Sequence, residues 1–265
     1  MTCINCGAED EGRFCSHCAQ PLKVKRITFK EGWHDFWARI YGFDGMFPRT
    51  FKDLTIRPGF ASREFIRGNR ARYYGPVGYY FLMITLFLLL LSMIGMNFVE
   101  YMETMQKSIA IQQQESKGTQ SIRLWVADNL KLIAFFIVPF LAITSRYIFF
   151  RKQGLNFMEH TVPVFYMLGH WYWFQMLEAT VLHYTGFHIG AMWQMLLVAL
   201  YCGVGYISFV PDQPKWKVFL KGVGTYLTGY MLMFIATAII ATIGIVILVL
   251  IDPSYLDSLR PPKNP

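Results

Sequence analysis

The residues best suited to chemistry are four cysteines close to the N-terminus. They form two C-x2-C pairs separated by eight residues: Cys3 and Cys6, then Cys15 and Cys18. Two such knuckles can present four thiolates tetrahedrally to one Zn²⁺ ion, and Gly7 permits the tight turn that a knuckle needs. About twenty residues cannot bury a hydrophobic core, so the metal would supply the folding energy. The spacing predicts a structural zinc ribbon over residues 1–20, with disulfides or a redox C-x2-C site as alternatives.

A second set of polar residues lies in an otherwise apolar part of the chain. Ionisable groups are costly inside a membrane and usually face the interior of a helix bundle or a wet cavity. The pattern contains no HExxH motif and no paired carboxylates, so a catalytic metal centre is not favoured. It predicts a polar intramembrane or interface site, with hydrogen bonds between helices as the simpler alternative. Its residues are Glu159, His160, His170, Gln175 and Glu178.

Basic and aromatic residues fill the segment 21–75 between the cysteines and the first long apolar stretch. Thr28 and Glu31 have the spacing of a capping box, and aromatic residues from Phe29 to Ile40 recur at helical spacing. Two further short helices are expected at 47–56 and 61–67, the second capped by Gly68. We expect amphipathic helices at the membrane surface that either contact lipid headgroups or simply pad the helix bundle. The candidate headgroup contacts are Arg57, Arg63, Arg67, Arg70 and Arg72.

The rest of the chain has the composition of a membrane protein. Hydrophobic residues make up 54% of the chain and charged residues only 16%, whereas a soluble domain usually has about 25% charged residues. Five apolar segments approach the ~20 residues that a bilayer requires. These segments are 76–98, 132–150, 162–184, 191–210 and 227–251. They predict a five-helix transmembrane domain over 76–251, with an outer loop at 99–130 and a tail at 252–265.

The distribution of Lys and Arg predicts the orientation. Residues 1–75 carry thirteen of them, whereas the loop 99–130 carries three against four acidic residues. Positive loops stay in the cytoplasm, so the N-terminus is expected inside and the C-terminus outside. Orientation thus accounts for the formal charge of +8, and a nucleic-acid partner is not favoured. Because disulfides are rare in the cytoplasm, this topology favours zinc over the alternatives for the cysteines.

The sequence resembles a family of bacterial membrane proteins with an N-terminal zinc ribbon, catalogued as domain of unknown function 3667. The resemblance rests on the two knuckles, the Arg57-Pro58-Gly59 step, the Arg70-x-Arg72-Tyr73 run, Pro76, Glu159-His160 and the aromatic, Lys-rich stretch 206–221. The sequence departs from the pattern at Ala19, where a Gly would commonly follow the second pair. The resemblance implies a multi-pass protein of the bacterial inner membrane and implies no activity.

The sequence therefore predicts an all-α polytopic membrane protein with about five transmembrane helices, amphipathic juxtamembrane helices and a small four-cysteine zinc ribbon. The four cysteines form a strong candidate for a binding module, whereas the sequence offers little support for a catalytic site. This contrast favours an interaction, scaffold or accessory role over an enzyme. In that role the cytosolic ribbon docks a protein partner, and lipids or further subunits surround the bundle. A small transporter or channel subunit with a polar path near Glu159, His170 and Glu178 is the alternative. A membrane enzyme acting on a lipid is a further one.

Overall fold

The structure is a computed structural model that describes residues 1–23, Thr28, 45–107 and 128–251. In these ranges the ordered elements are helices, apart from two isolated antiparallel bridges near the N-terminus. The helices are α1 (Met46–Ile56), α2 (Phe60–Arg67), α3 (Pro76–Met93), α4 (Phe98–Lys107), α5 (Leu130–Ile143), α6 (Phe157–Thr185), α7 (Ala191–Phe209) and α8 (Lys215–Ile251). A π-helical turn, Thr144–Phe149, continues α5. The prediction of an all-helical fold is confirmed over these residues.

Local sequence signals account for the ends of several helices. Helix α1 ends at Ile56, two residues before Pro58, because the residue preceding a proline is disfavoured in helical geometry. Gly68 caps α2 with a left-handed φ of 112°, and Pro76 opens α3 where a missing N–H costs nothing. The two short helices predicted between residues 47 and 67 are therefore confirmed. The predicted helix from Phe29 to Ile40 lies outside the described residues.

The first predicted span, 76–98, is not one continuous helix. Helix α3 stops at Met93, and Gly95 adopts a φ of 73° that only glycine accepts readily. Helix α4 then starts afresh at Phe98. Three lysines of the Lys-rich stretch, Lys215, Lys217 and Lys221, lie on the first two turns of α8, which starts at Lys215.

Three helices are long and apolar enough to cross a membrane: α3, α7 and the part of α8 from Lys215 to Gly244. They make this a candidate membrane protein. The other two predicted spans correspond to α5 with its π-helical turn and to α6. The apolar stretch Ala134–Phe149 is shorter than these three, and α6 carries the polar residues of the candidate site. A count of five spans stays a prediction.

Helices α3 and α6 form the centre of the bundle and pack closely. A Cβ placed on Gly169 of α6 would lie 2.9 Å from the Cα atom of Tyr80 on α3, so only glycine fits there. One buried cluster joins these two helices to α5, α7 and α8, and another joins them to α1, α2 and α4. The short helices α1 and α2 therefore belong to the packed bundle, which favours the padding interpretation of the segment before the first span.

Contacts near the ends of the helices define two ends of the bundle. At one end, which we call the ribbon end, the Phe150 ring stacks on Tyr206 at 4.7 Å and Gly59 N donates to Ser208 Oγ at 3.1 Å. At the other end, which we call the distal end, Glu178 near the end of α6 accepts hydrogen bonds from α4 and from the 186–190 turn. The ends thus separate the two groups of loops that the charge pattern placed on opposite sides.

Candidate metal centre and buried polar groups

The four N-terminal cysteines converge on one point. Cys3 Sγ lies 3.5 Å from Cys18 Sγ, and Cys6 Sγ lies 3.5 Å from Cys15 Sγ. All four sulfur atoms lie within 4.8 Å of one another. A disulfide bond is about 2.05 Å long, and all four thiols are free. The disulfide alternative does not fit this geometry, and the four cysteines could hold one metal ion.

The two knuckles are built alike. Gly7 N donates to Cys3 O at 2.9 Å in the first, and Ala19 N donates to Cys15 O at 2.8 Å in the second. The residue that closes each knuckle has a positive φ, 77° at Gly7 and 55° at Ala19. Ala19 is the one non-glycine residue in this region of φ among the described residues. The departure from glycine therefore leaves the turn intact and places an alanine in a strained conformation.

Asp10 braces the connection between the knuckles. Its Oδ2 accepts from Ser16 N at 2.7 Å and its Oδ1 accepts from Gly12 N at 3.2 Å. The Ser16 N–H stabilises the ionised form and holds the pKa of the Asp10 carboxyl well below its usual range. The carboxylate thus organises a segment that carries no hydrophobic core.

The side chain of Gln20 fastens the ribbon to the helices. Its Nε2 donates to Gly68 O, and its Oε1 accepts from Ala71 N at 2.8 Å. Gln20 is buried, so both backbone groups are satisfied away from water. Sequence reasoning did not identify this contact, because its partners lie 48 and 51 residues away and no local pattern points to them.

Two of the five arginines predicted to meet lipid have carboxylate partners. Arg57 Nη2 lies 3.1 Å from Asp53 Oδ1, and Arg67 Nη1 lies 3.6 Å from Glu64 Oε1. Asp53 also accepts from the Tyr73 hydroxyl at 2.7 Å; burial is the main cause that raises the pKa of Tyr73 and keeps it a donor. The remaining arginines lie over aromatic rings: Arg63 over Phe60, Arg70 over Phe65 and Arg72 over Tyr73. Contact with headgroups stays a prediction for all five.

Glu159 and His160 lie in the first turn of α6, and each has a hydrogen-bond partner. Glu159 N donates to Asn156 Oδ1 at 2.8 Å, and Asn156 N donates to Glu159 Oε2 at 2.7 Å, which is a capping box. Tyr206 Oη donates to Ser145 Oγ at 3.0 Å, and Ser145 Oγ lies 2.8 Å from His160 Nδ1. His160 Nε2 is buried and has no hydrogen-bond partner among the described residues.

His170 is enclosed at the middle of α6. Tyr79 Oη lies 2.7 Å from His170 Nδ1, and Thr55 Oγ1 lies 3.1 Å from His170 Nε2. Because the Thr55 hydroxyl already donates to Phe51 O, the network assigns the ring proton to Nε2. His170 has no exposed surface. It joins α1, α3 and α6 by hydrogen bonds, as the simpler alternative expected.

Gln175 and Glu178 line a cavity of about 290 Å³ between α6 and α7. Glu178 Oε1 accepts from Ile189 N at 2.8 Å. Its Oε2 accepts from Gln194 Nε2 and, at 3.4 Å, from Tyr101 Oη. Neither Glu159 nor His170 lines this cavity. The polar residues therefore form three separate groups along α6, one at its start, one at His170 and one at the cavity, and the geometry does not join them into one path.

The comparisons with known proteins give one match. The model of a family described as "Protein of unknown function (DUF3667)" matches residues 44–88. No curated protein and no solved structure matches the chain. The matched stretch contains α1, α2 and most of α3, which includes the Arg57-Pro58-Gly59 step and the Tyr73 and Tyr79 partners of the buried polar groups. The resemblance to domain of unknown function 3667 is therefore confirmed over residues 44–88.

Proposed function

We propose that this protein is a scaffold or accessory subunit of the bacterial inner membrane whose cytosolic zinc ribbon docks a protein partner. The observation that supports this role is the way in which the ribbon is attached to the helices. Gln20 fixes it to the end of α2, while three apolar side chains remain exposed: Met1 at 61%, Ile4 at 52% and Phe14 at 59%. A fixed module with exposed apolar side chains suits the recognition of a protein surface.

Zinc is the proposed metal because the sulfur positions suit its geometry. Four sulfurs at about 2.3 Å from one ion lie about 3.8 Å apart at the corners of a tetrahedron. Two pairs here are 3.5 Å apart and no pair exceeds 4.8 Å. A thiolate set without oxygen ligands also suits zinc. We expect one zinc ion per purified chain by elemental analysis; a stoichiometry near zero after gentle purification, or iron in its place, would contradict the assignment.

The proposed topology has five spans, an N-terminus in the cytoplasm and a C-terminus outside. The ribbon end carries Arg151 and Lys152 between α5 and α6, and Lys215 and Lys217 at the start of α8. The described part of the distal end carries Glu100, Glu103 and Asp128 against Lys107 and Lys131, so it has no positive excess. This asymmetry is the one that positive-inside topology requires. Helices α5 and α6 complete the five spans.

The geometry favours docking over transport or catalysis. A polar path would need Glu159, His170 and Glu178 to share a cavity, but Glu159 caps α6 and His170 is enclosed. Among the described residues, the four cysteines are the one cluster of three or more metal-ligating side chains. A thiolate set that occupies all four zinc positions leaves none for substrate, so it serves structure and recognition.

Photo-crosslinking in living cells tests the docking function. We would place a benzophenone amino acid at Phe14 and, as a control, at the exposed distal residue Tyr184. The proposal expects a discrete adduct with another protein from position 14 only. Ile4→Ser should weaken this adduct, because it removes neighbouring apolar surface, and Cys3→Ser with Cys6→Ser should abolish it.

Three results would overturn the proposal. The first is no adduct from position 14 in a correctly inserted, zinc-loaded protein. The second is an adduct that survives both the Ile4 and the cysteine substitutions. The third is an adduct formed only with a second copy of this chain, which would make the ribbon a self-association element. A Gln20→Ala variant tests the attachment of the ribbon separately, because it keeps the four thiols and removes the hydrogen bonds that hold the ribbon against the helices.

A further inference from the structure

The cavity between α6 and α7 combines aromatic walls with a carboxylate. Its volume of about 290 Å³ is close to the lower end of small-molecule sites, which begin at about 300 Å³. Trp171, Phe174 and Phe187 supply aromatic surface, and Glu178 lies beside them. The cavity therefore has room for a headgroup or a small solute rather than for a large ligand.

Among the described residues that line the cavity, Glu178 is the one with an acidic or basic side chain. All of the groups that donate to its carboxylate are neutral: a backbone N–H, the Gln194 amide and the Tyr101 hydroxyl. These donors hold the carboxylate in place and carry no charge that would neutralise it. The ion pairs found among the described residues lie near α1 and α2, and neither involves Glu178. Within the described part of the chain, this carboxylate has no cationic partner, and a bound cation would supply one.

The combination selects one class of ligand. Ammonium groups bind to the faces of aromatic rings, and aromatic cages recognise quaternary ammonium in particular. A carboxylate at the wall adds direct charge attraction, which is strong where water is partly excluded. A phosphate or carboxylate ligand would instead be repelled by Glu178. A neutral apolar ligand would leave the carboxylate unused.

We propose that this cavity binds an ammonium group, carried either by a small soluble amine or by the headgroup of an aminophospholipid. Side chains exposed at the mouth, Leu177, Val181 and Leu197, give the cavity an apolar rim that suits an attached acyl chain. This site lies at the distal end, away from the ribbon, and is independent of the docking function.

Equilibrium dialysis of the purified full-length protein in detergent tests the ammonium specificity. The probes are radiolabelled choline and its neutral isostere 3,3-dimethylbutan-1-ol, which has the same shape without the charge. Choline should bind at least about tenfold more tightly than the alcohol. Glu178→Gln should remove that preference; its carbonyl can still accept from Ile189 N, so the fold is retained. Glu100→Gln removes an exposed distal carboxylate outside the cavity and should leave binding unchanged.

A second variant and a lipid experiment complete the test. Phe187→Leu removes an exposed aromatic wall and should weaken choline binding more than binding of the alcohol. Native mass spectrometry from nanodiscs of phosphatidylethanolamine or phosphatidylglycerol identifies the source. Retention of phosphatidylethanolamine by wild type but not by Glu178→Gln supports a lipid ligand, and choline binding without lipid retention supports a soluble amine. The proposal is overturned if neither probe binds, if choline and the alcohol bind equally, or if Glu178→Gln binds as wild type does.

Discussion

Ala19 is the residue at which the ribbon carries visible strain. Its φ of 55° lies in the left-handed region, which costs an L-residue about 1–2 kcal/mol relative to glycine. We expect Ala19→Gly to relieve this strain and to slow metal loss to a chelator, with an increase in metal affinity of about fivefold to thirtyfold. Competition with a chromogenic chelator measures the change directly.

Gly7 supplies the matched control for that prediction. It occupies the equivalent position of the first knuckle with a φ of 77°, and a Cβ added there would meet no atom within 4 Å. Gly7→Ala therefore changes the backbone preference and creates no clash. It should speed metal loss by a factor similar to the one by which Ala19→Gly slows it. Equal metal retention in both variants would show that the positive φ does not limit the stability of the ribbon.

Residue types and spacing identified the polar residues of α6 but not their partners. The two hydrogen-bond partners of His170 lie 91 and 115 residues away, on α3 and α1. Glu178 likewise depends on Tyr101 and Gln194, which lie on other helices. Intramembrane polar groups must find partners, so their presence was informative. Which partner each one takes is fixed by helix packing, and a single sequence does not contain that information in any local pattern.

Among the elements, the start of α2 makes a close contact with α7 at Gly59. A Cβ on Gly59 would lie 2.5 Å from Phe209 N and would overlap Gly205 O, so the helices cannot keep their separation if Gly59 is substituted. Gly59→Ala should lower the stability of the bundle by about 1–3 kcal/mol, as overpacking does. The midpoint of thermal unfolding in detergent measures this loss.

Gly244 on α8 provides the control, because a Cβ there would meet nothing within 4 Å. Gly244→Ala should leave the midpoint unchanged or raise it slightly, since alanine favours a helix over glycine by about 1 kcal/mol. An unchanged midpoint for Gly59→Ala as well would mean that α2 does not pack against α7 in the native protein.

Elements were predictable where local signals coincide. Helices α1 and α2 were placed to within one residue because Pro58, Gly59 and Gly68 mark their ends in the sequence. The knuckles followed from cysteine spacing alone. The break between α3 and α4 was not predicted. Gly95 ends the helix because it adopts a left-handed conformation, whereas other glycines of this chain lie inside helices and do not, and residue type alone does not distinguish the two cases. The packing of α1 against α3 and α6 agrees with the padding interpretation, but the sequence did not indicate which helices α1 would contact.

At the scale of the molecule, helix α8 differs from the other candidate spans in how much protein surrounds it. Only 6% of its apolar window is buried, against 33% for α3 and 39% for α7. A helix that is apolar on all faces and so little covered requires a lipid environment or a neighbouring subunit. This supports the membrane assignment independently of the charge distribution.

The number of spans follows from the side on which the loop between α5 and α6 lies. In the five-span topology, α3 carries the chain outward and α5 returns it, so Lys152 faces the cytoplasm. If only α3, α7 and α8 crossed the membrane, Lys152 would lie outside with α4. The two topologies agree on Glu100 outside and Asp212 inside, and all three side chains are exposed. Lys152 therefore decides between them.

Single cysteines at these three positions test the topology, with a membrane-impermeant maleimide applied to spheroplasts. Wild type should stay unlabelled, because the proposed topology puts the ribbon in the cytoplasm and Cys202 is buried. Glu100→Cys should label in intact spheroplasts, whereas Lys152→Cys and Asp212→Cys should label only after the membrane is opened. Labelling of Lys152→Cys in intact spheroplasts would reduce the count to three spans. Labelling of Asp212→Cys but not Glu100→Cys in intact spheroplasts would show the opposite orientation. The ribbon would then lie outside the reducing cytoplasm, the compartment in which zinc thiolate sites are normal.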